Sequence, residues 1–231
     1  MNITIDHLTA GAARARGVTV IIDVFRAYSF ESYAFSRGAE VIYPVADIDK
    51  AYEMKRRDPS FLLAGERHAR MAEGFDFGNS PMQIEDLDLT GKRLIHTTSA
   101  GTQGIAAAVN ADVILLGALV NARATAEYIK SLAPERVSLV CMGLENRRPT
   151  DEDTCCAEYI KSILEGTPFD KETAIEKLRN GDGKRFFIPE DQSFAPERDF
   201  WLCTRFDRFD FALRVYKDQE GRDLSRPVKA E

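Results

Sequence analysis

The chain reads as an α/β protein: a mixed β-sheet flanked by helices on both faces, a three-layer α/β/α arrangement with room for two lobes. Two patterns predict this. Apolar runs at 18–25, 41–45, 61–64, 93–96, 112–116 and 137–142 have the length and continuous hydrophobicity of buried strands. Helical stretches at 26–37, 48–56, 102–109, 122–132 and 152–165 alternate with them, as in a sheet covered on both sides. The bulk numbers agree, since 231 residues with 44% hydrophobic and 29% charged side chains can build a substantial globular core.

Taken in order, Met1-Asn2-Ile3-Thr4-Ile5-Asp6 looks like a strand. The run at 18–25 carries Asp23, and Arg26 follows. An acid at a strand end suits metal or acid/base work, and equally well caps the helix at 26–37. Leu62 and Leu63 end the next run, and Gly65-Glu66-Arg67 reads as a turn. The segment Gly74-Phe75-Asp76-Phe77-Gly78-Asn79-Ser80-Pro81 is too rich in Gly, Asn, Ser and Pro for a helix or central strand. Its two phenylalanines would anchor it as a loop. A turn at 86–92 leads straight into the strand at 93–96, which allows antiparallel pairing at a sheet edge. Asn121 is placed to cap the helix at 122–132, and Thr150-Asp151-Glu152-Asp153 puts negative charge at the start of 152–165.

Beyond residue 166, turns surround a short amphipathic helix at 170–179. Ala195 to Tyr216 reads as one or two helices whose aromatic stripe, including Phe200, Trp201 and Phe209, covers the sheet. Residues 1–216 thus read as a single α/β domain, and 217–231 as a polar, frayed C-terminal tail.

A net charge of −6 and a pI near 5.3 argue against a nucleic-acid partner. No apolar run approaches the roughly 18 residues that span a bilayer, and the first residues lack the pattern of a signal peptide. These features predict a cytoplasmic protein without a membrane partner, and they are compatible with a homodimer. The four cysteines form no CxxC pair, so buried reduced thiols are expected rather than zinc ligands or a dithiol.

The most informative stretch is Leu94-Ile95-His96-Thr97-Thr98-Ser99-Ala100-Gly101-Thr102, which continues into alanine-rich helix. Strand, loop and helix start follow in that order. Unpaired amides and the positive end of the helix dipole make such a place suited to an anion. The hydroxyls of Thr97, Thr98 and Thr102 add donors, and Gly101 permits close approach. No Gly-Lys-Ser/Thr follows, so it is not a nucleotide P-loop.

Together, Asp23-Val-Phe-Arg26-Ala, Gly65-Glu66-Arg67, the block from Gly74 to Pro81, Thr97-Thr98-Ser-Ala-Gly101-Thr102, Asn121-Ala122 and Glu152-Asp153 resemble the 2-phosphosulfolactate phosphatase family, in its order. The resemblance spans about residues 18–165. The chain departs from it in having Tyr28-Ser29-Phe30 where threonines are usual, and Ser99-Ala100 within the threonine-rich loop. It implies hydrolysis of 2-phosphosulfolactate to sulfolactate and phosphate, a step of coenzyme M synthesis.

The chemistry needs oxyanion binding, charge neutralisation and a positioned nucleophile. Thr97–Thr102 offers the cradle, and Arg26 and Arg67 offer bidentate contacts to phosphate or sulfonate. Asn79, Ser80 and Asn121 join the substrate-binding set from their motif positions. Mg2+ takes one or two carboxylates plus water and phosphate oxygens, and Asp23, Glu66 and Asp153 are its candidate ligands. Asp23, Arg26, Glu66 and His68 form the expected catalytic set, with His68 or His96 as general acid. The substrate is a small phosphorylated, and under the resemblance sulfonated, acid.

Two rivals stand beside this reading. Cys141-Met-Gly-Leu-Glu-Asn-Arg147 has the Cys-x5-Arg spacing of cysteine phosphatases, although it lacks Ser or Thr after the arginine. The non-enzyme alternative is a sensor for a small phosphorylated or sulfonated acid. An aspartyl-nucleophile mechanism is disfavoured, because Asp23-Val-Phe lacks a second acid two residues on.

Overall fold

A computed structural model describes residues 1–230. In chain order the elements begin with β1 (Asn2–His7), α1 (Leu8–Arg14), β2 (Gly17–Ile22), α2 (Ala27–Ser36), β3 (Val41–Pro44) and α3 (Ile48–Arg57). Next come β4 (Leu62–Arg67), β5 (Arg70–Met71), β6 (Arg93–Thr97), α4 (Gly101–Ala107), β7 (Ala111–Gly117) and α5 (Ala122–Leu132). The chain continues with β8 (Arg136–Cys141), α6 (Asp151–Glu165), α7 (Lys171–Asn180), α8 (Glu197–Cys203), β9 (Ala212–Lys217) and β10 (Asp223–Val228). The helix starts follow the chemistry of their residues. Asp47 accepts from Asp49 N at the start of α3, Asp170 accepts from Thr173 N at the start of α7, and three acids fill the first turn of α6.

The strands form one ten-stranded mixed sheet in the order β1-β8-β2-β7-β9-β10-β3-β6-β4-β5. Two parallel blocks, β1-β8-β2-β7 and β3-β6-β4, are joined through the antiparallel hairpin β9–β10. Period-two alternation buries both faces. Val18, Val20 and Ile22 pack on the side of α5 and α6, while Ile21 packs on the side of α1, α2 and α4. A smaller core of Val41, Tyr43, Leu63 and Ile95 lies under α3. The three-layer α/β/α architecture is therefore the one that the strand–helix alternation predicts.

The hairpin reverses strand sense between the two blocks, yet their carboxyl ends meet: Gly101 N, just after β6, donates to Asp23 Oδ2, just after β2, at 3.0 Å. Twist of roughly 20–25° per strand accumulates across the sheet. The sheet is thus curled rather than flat, and the site forms where its two halves face each other. Beneath it, the fully buried Glu31 of α2 ties this curl together. It accepts from Ser225 Oγ at 2.8 Å and meets His96 Nδ1 at 2.9 Å.

Three expectations are corrected. Gly65-Glu66-Arg67 is not a turn but the end of β4. Gly65 makes this feasible, because at its φ of +146° a Cβ would stand 2.0 Å from Thr97 O of β6. The stretch from Ala195 to Tyr216 holds the short α8 and then β9, rather than helices throughout. The tail 217–231 is not frayed, since its residues 223–228 form β10 in the middle of the sheet. Its sparse burial explains why it looked dispensable. Leu224 and Ser225 are buried while charged neighbours face water, so a short strand there has the composition of a polar tail. Glu231 lies outside the described residues.

Candidate active site

Asp23 and Glu66 line one cavity with Ser99 and Ala100. Their carboxylates are held by the loop between β6 and α4. Asp23 Oδ2 accepts from Gly101 N at 3.0 Å, and its Oδ1 accepts from Ala27 N at 3.3 Å, so the acid also caps α2. Glu66 Oε1 accepts from Ser99 N at 2.7 Å. Its Oε2 accepts from Ala69 N at 2.8 Å and from Ser99 Oγ at 3.2 Å. The loop amides expected to cradle an anion are thus already engaged by the two acids, which they aim into the cavity.

Arg26 and Asn79 complete the inner wall. Arg26 is buried, and its Nη1 donates to Asp199 Oδ2 at 2.7 Å while its Nη2 donates to Ala69 O at 3.3 Å. Ser80 stands one step back, donating through Oγ to Asp199 Oδ1 at 2.9 Å. Asn79 Oδ1 is buried without a hydrogen-bond partner, an acceptor left for something in the cavity. The outer wall comes from Gly143–Glu145 after β8 and from the segment around Arg185, Phe186 and Phe194.

Other expected site residues fall outside this wall. Arg67 turns away and donates to Glu66 O, Ala46 O and Thr97 Oγ1. Thr98 and Thr102 hydrogen-bond each other and are buried beneath the loop. Asn121 is fully buried just before α5, and it reaches back to the end of β7, where Oδ1 accepts from Ala118 N and Nδ2 donates to Leu116 O. Its role is to close that strand. His96 is fully buried against Glu31, so it cannot reach a substrate. His68 is 78% exposed and does not line the cavity, but its Nδ1 lies 2.9 Å from Oε1 of Glu145, which does. Asp153 lies behind the cavity. It clasps the ends of β2 and β8 by accepting from Val24 N and Gly143 N, each at 2.8 Å. The convergence of Asp23, Glu66 and Asp153 is therefore met by the first two, with the third in a supporting layer. Cys141 is buried without lining the cavity, burial pushes its thiol far above the usual range, and Arg147 is exposed beside Glu145. That arrangement rules out the cysteine-phosphatase reading.

A family model described as 2-phosphosulpholactate phosphatase matches residues 3–188. The chain belongs to this family. It is 32% identical to a "Probable 2-phosphosulfolactate phosphatase" of Bacillus subtilis, over 91% of this chain and 92% of that protein. A protein of the same name from Caldicellulosiruptor saccharolyticus is 38% identical over 64% of this chain and 63% of its own length. One from Clostridium perfringens is 32% identical over 99% of this chain and 97% of its own. With the 2-phosphosulpholactate phosphatase family, the chain takes its place among the phosphoric monoester hydrolases.

In this family member the acids are compressed into a small volume. Burial pushes Asp23 up to about 6, with the nearby Glu66 charge adding to the rise. Burial pushes Glu152 up to about 7 against the opposing pull of Arg185, and holds Asp153 well above the usual carboxylate range with help from Glu152 and Asp23. Glu152 Oε2 is buried with no partner. Such a cluster retains protons or takes a cation. Among the described residues no three His, Cys, Asp or Glu groups converge as a ready-made metal cage. Two carboxylates facing one cavity nonetheless fit Mg2+, which keeps water and substrate oxygens for its other positions.

These raised values set a pH dependence. Asp23 and Glu152 keep their protons longer in the folded chain than in the unfolded one. The stability they contribute is complete below pH 4 and is lost as pH rises through about 6 and 7. In EDTA, calorimetry is expected to show Tm falling by several degrees between pH 5 and pH 8; a Tm that rises over that interval contradicts the assignment.

The sequence reading missed Asp199 and Arg185. Asp199 sits among aromatic residues, and Arg185 sits between two turns. Neither has a local pattern that distinguishes it from a solvated charge.

Proposed function

We propose that the protein is a Mg2+-dependent phosphatase acting on a small phosphorylated acid of the 2-phosphosulfolactate kind, releasing sulfolactate and phosphate. The observation that carries this reading is the pair Asp23 and Glu66. They come from opposite halves of the sheet and are aimed into one cavity by Gly101 and Ser99. Family membership supports the same chemistry.

Asp23 and Glu66 would hold the ion. Bound there, it supplies neutralisation of the phosphoryl charge. Asn79 Oδ1 offers an acceptor to water or to a substrate hydroxyl, and Arg26, fixed by Asp199, keeps the wall rigid. His68, bonded through Nδ1 to Glu145 of the cavity wall, is the candidate general acid for the departing alkoxide. In the net reaction a water oxygen bonds to phosphorus, the ester P–O bond breaks, and the departing alkoxide takes up a proton.

The test is phosphate release from 2-phosphosulfolactate, with Mg2+ and with EDTA. Release that needs Mg2+ is expected. Binding of sulfolactate without release under either condition would instead favour a sensor.

A further inference from the structure

We infer that Arg185 is the specificity-determining cation of the site, binding the acidic group of the substrate that is not transferred. This rests on the phosphatase reading above. An acid-bearing phosphomonoester brings several negative charges into a cavity already lined by Asp23, Glu66 and Glu145. It needs cations besides the metal. The two arginines that the motifs offer are both spent. Arg26 is neutralised by Asp199 at 2.7 Å, and Arg67 donates to Glu66 O and Thr97 Oγ1 away from the cavity.

Arg185 is the remaining arginine in the wall. Its side chain is 28% exposed, and the one ion pair it makes among the described residues, with Glu152 Oε1, lies at 3.9 Å, at the limit of such a pair. Nη2 donates to Phe25 O at a long 3.3 Å, which leaves most of its five donors free for an oxyanion. The guanidinium lies 5.9 Å from the Phe25 ring centroid and 5.2 Å from that of Phe186, so aromatic faces fix its place without consuming its hydrogen bonds.

Its backbone is equally well placed. Asp182 anchors the segment by accepting from Asp151 N at 2.9 Å and from Arg148, and Phe186 is buried against Phe25. Gly183 allows the tight approach, since a Cβ there would stand 2.6 Å from Leu178 O and from a Phe200 ring carbon. Arg185 reaches the cavity from the segment between α7 and α8, whereas Asp23 and Glu66 reach it from strand ends. That division gives the phosphoryl group to the acids and their metal, and the sulfonate or carboxylate to the guanidinium.

The test compares wild type, Arg185→Gln and Arg185→Lys on 2-phosphosulfolactate and on glycerol 2-phosphate, whose remainder is uncharged. Arg185→Gln should lower the ratio of kcat/KM for the two substrates by about 10- to 100-fold, mainly through KM, from loss of a charge-assisted contact. Arg185→Lys should recover part of that ratio. Equal losses on both substrates, with unchanged thermal unfolding, would place the guanidinium on the phosphoryl group and overturn the inference; so would an unchanged ratio. Calorimetric titration with sulfolactate separates this inference from the phosphatase reading. Binding by wild type that Arg185→Gln abolishes supports Arg185 even if neither ester is hydrolysed. Equal binding by both proteins overturns it.

Discussion

Asp23→Asn is expected to lower phosphate release by about 10³-fold or more, while Cys141→Ser keeps most of the activity. The two substitutions separate the mechanisms that the sequence left open. Under the proposed function, turning the Asp23 carboxylate into an amide removes the charge that would hold Mg2+ against its hydration shell. It also puts amide hydrogens in place of one of the two oxygens that now accept from Gly101 N and Ala27 N, so either the β6–α4 loop or the start of α2 loses an acceptor. The Cys141 thiol is buried, has its ionisation suppressed and does not line the cavity, so a hydroxyl in its place changes only packing. Thermal unfolding of both variants shows that the comparison is between folded proteins. An inactive Cys141→Ser beside an active Asp23→Asn would restore the cysteine route.

Asp199→Ala is expected to be the most destabilising single change near the site. Asp199 is fully buried, 173 residues away in sequence from its partner Arg26, and it accepts from Arg26 Nη1, Ser80 Oγ and Met82 N. Removing it strands a guanidinium that is itself only 5% exposed. Breaking a buried ion pair in this way costs about 3–5 kcal/mol, which for a chain of this size lowers Tm by about 6–20 °C. Denaturant and thermal unfolding measure it directly. The pair also joins α8 to the loop after β2, so activity should fall with stability. Asp199→Asn, which keeps an acceptor, should fall between Ala and wild type. A variant with Ala that unfolds at the wild-type temperature would show that the ion pair does not hold the C-terminal segment against the site.

Much of this was legible because it is local. Strand runs, capped helices and the acids Asp23 and Glu66 announce themselves within a few residues: an apolar run, then a charge beside Gly or Ser. The Thr97–Thr102 loop was legible as a loop, but not in what it binds. Whether Gly101 N meets a ligand or the Asp23 carboxylate depends on a residue 78 positions away. His96 and Asn121 misled for a related reason. A polar residue at or just past a strand looks the same whether it faces a cavity or, like these two, satisfies buried backbone or a buried acid. The tail escaped because β10 has only two buried positions, and its place mid-sheet is fixed by pairing with β3 and β9 rather than by its own hydrophobicity. Arg185 and Asp199 escaped because their meaning lies wholly in what they face.

Under the proposed function, Asp23 and Glu66 hold a cation between the two halves of the sheet. The most direct test is a crystal of the wild-type protein soaked with Mn2+ in place of Mg2+, the ion being located by its anomalous scattering. A single strong peak coordinated by oxygens of both Asp23 and Glu66, and absent from Asp23→Asn crystals, is expected. A cavity without a peak, or a peak that persists unchanged in Asp23→Asn, would contradict it.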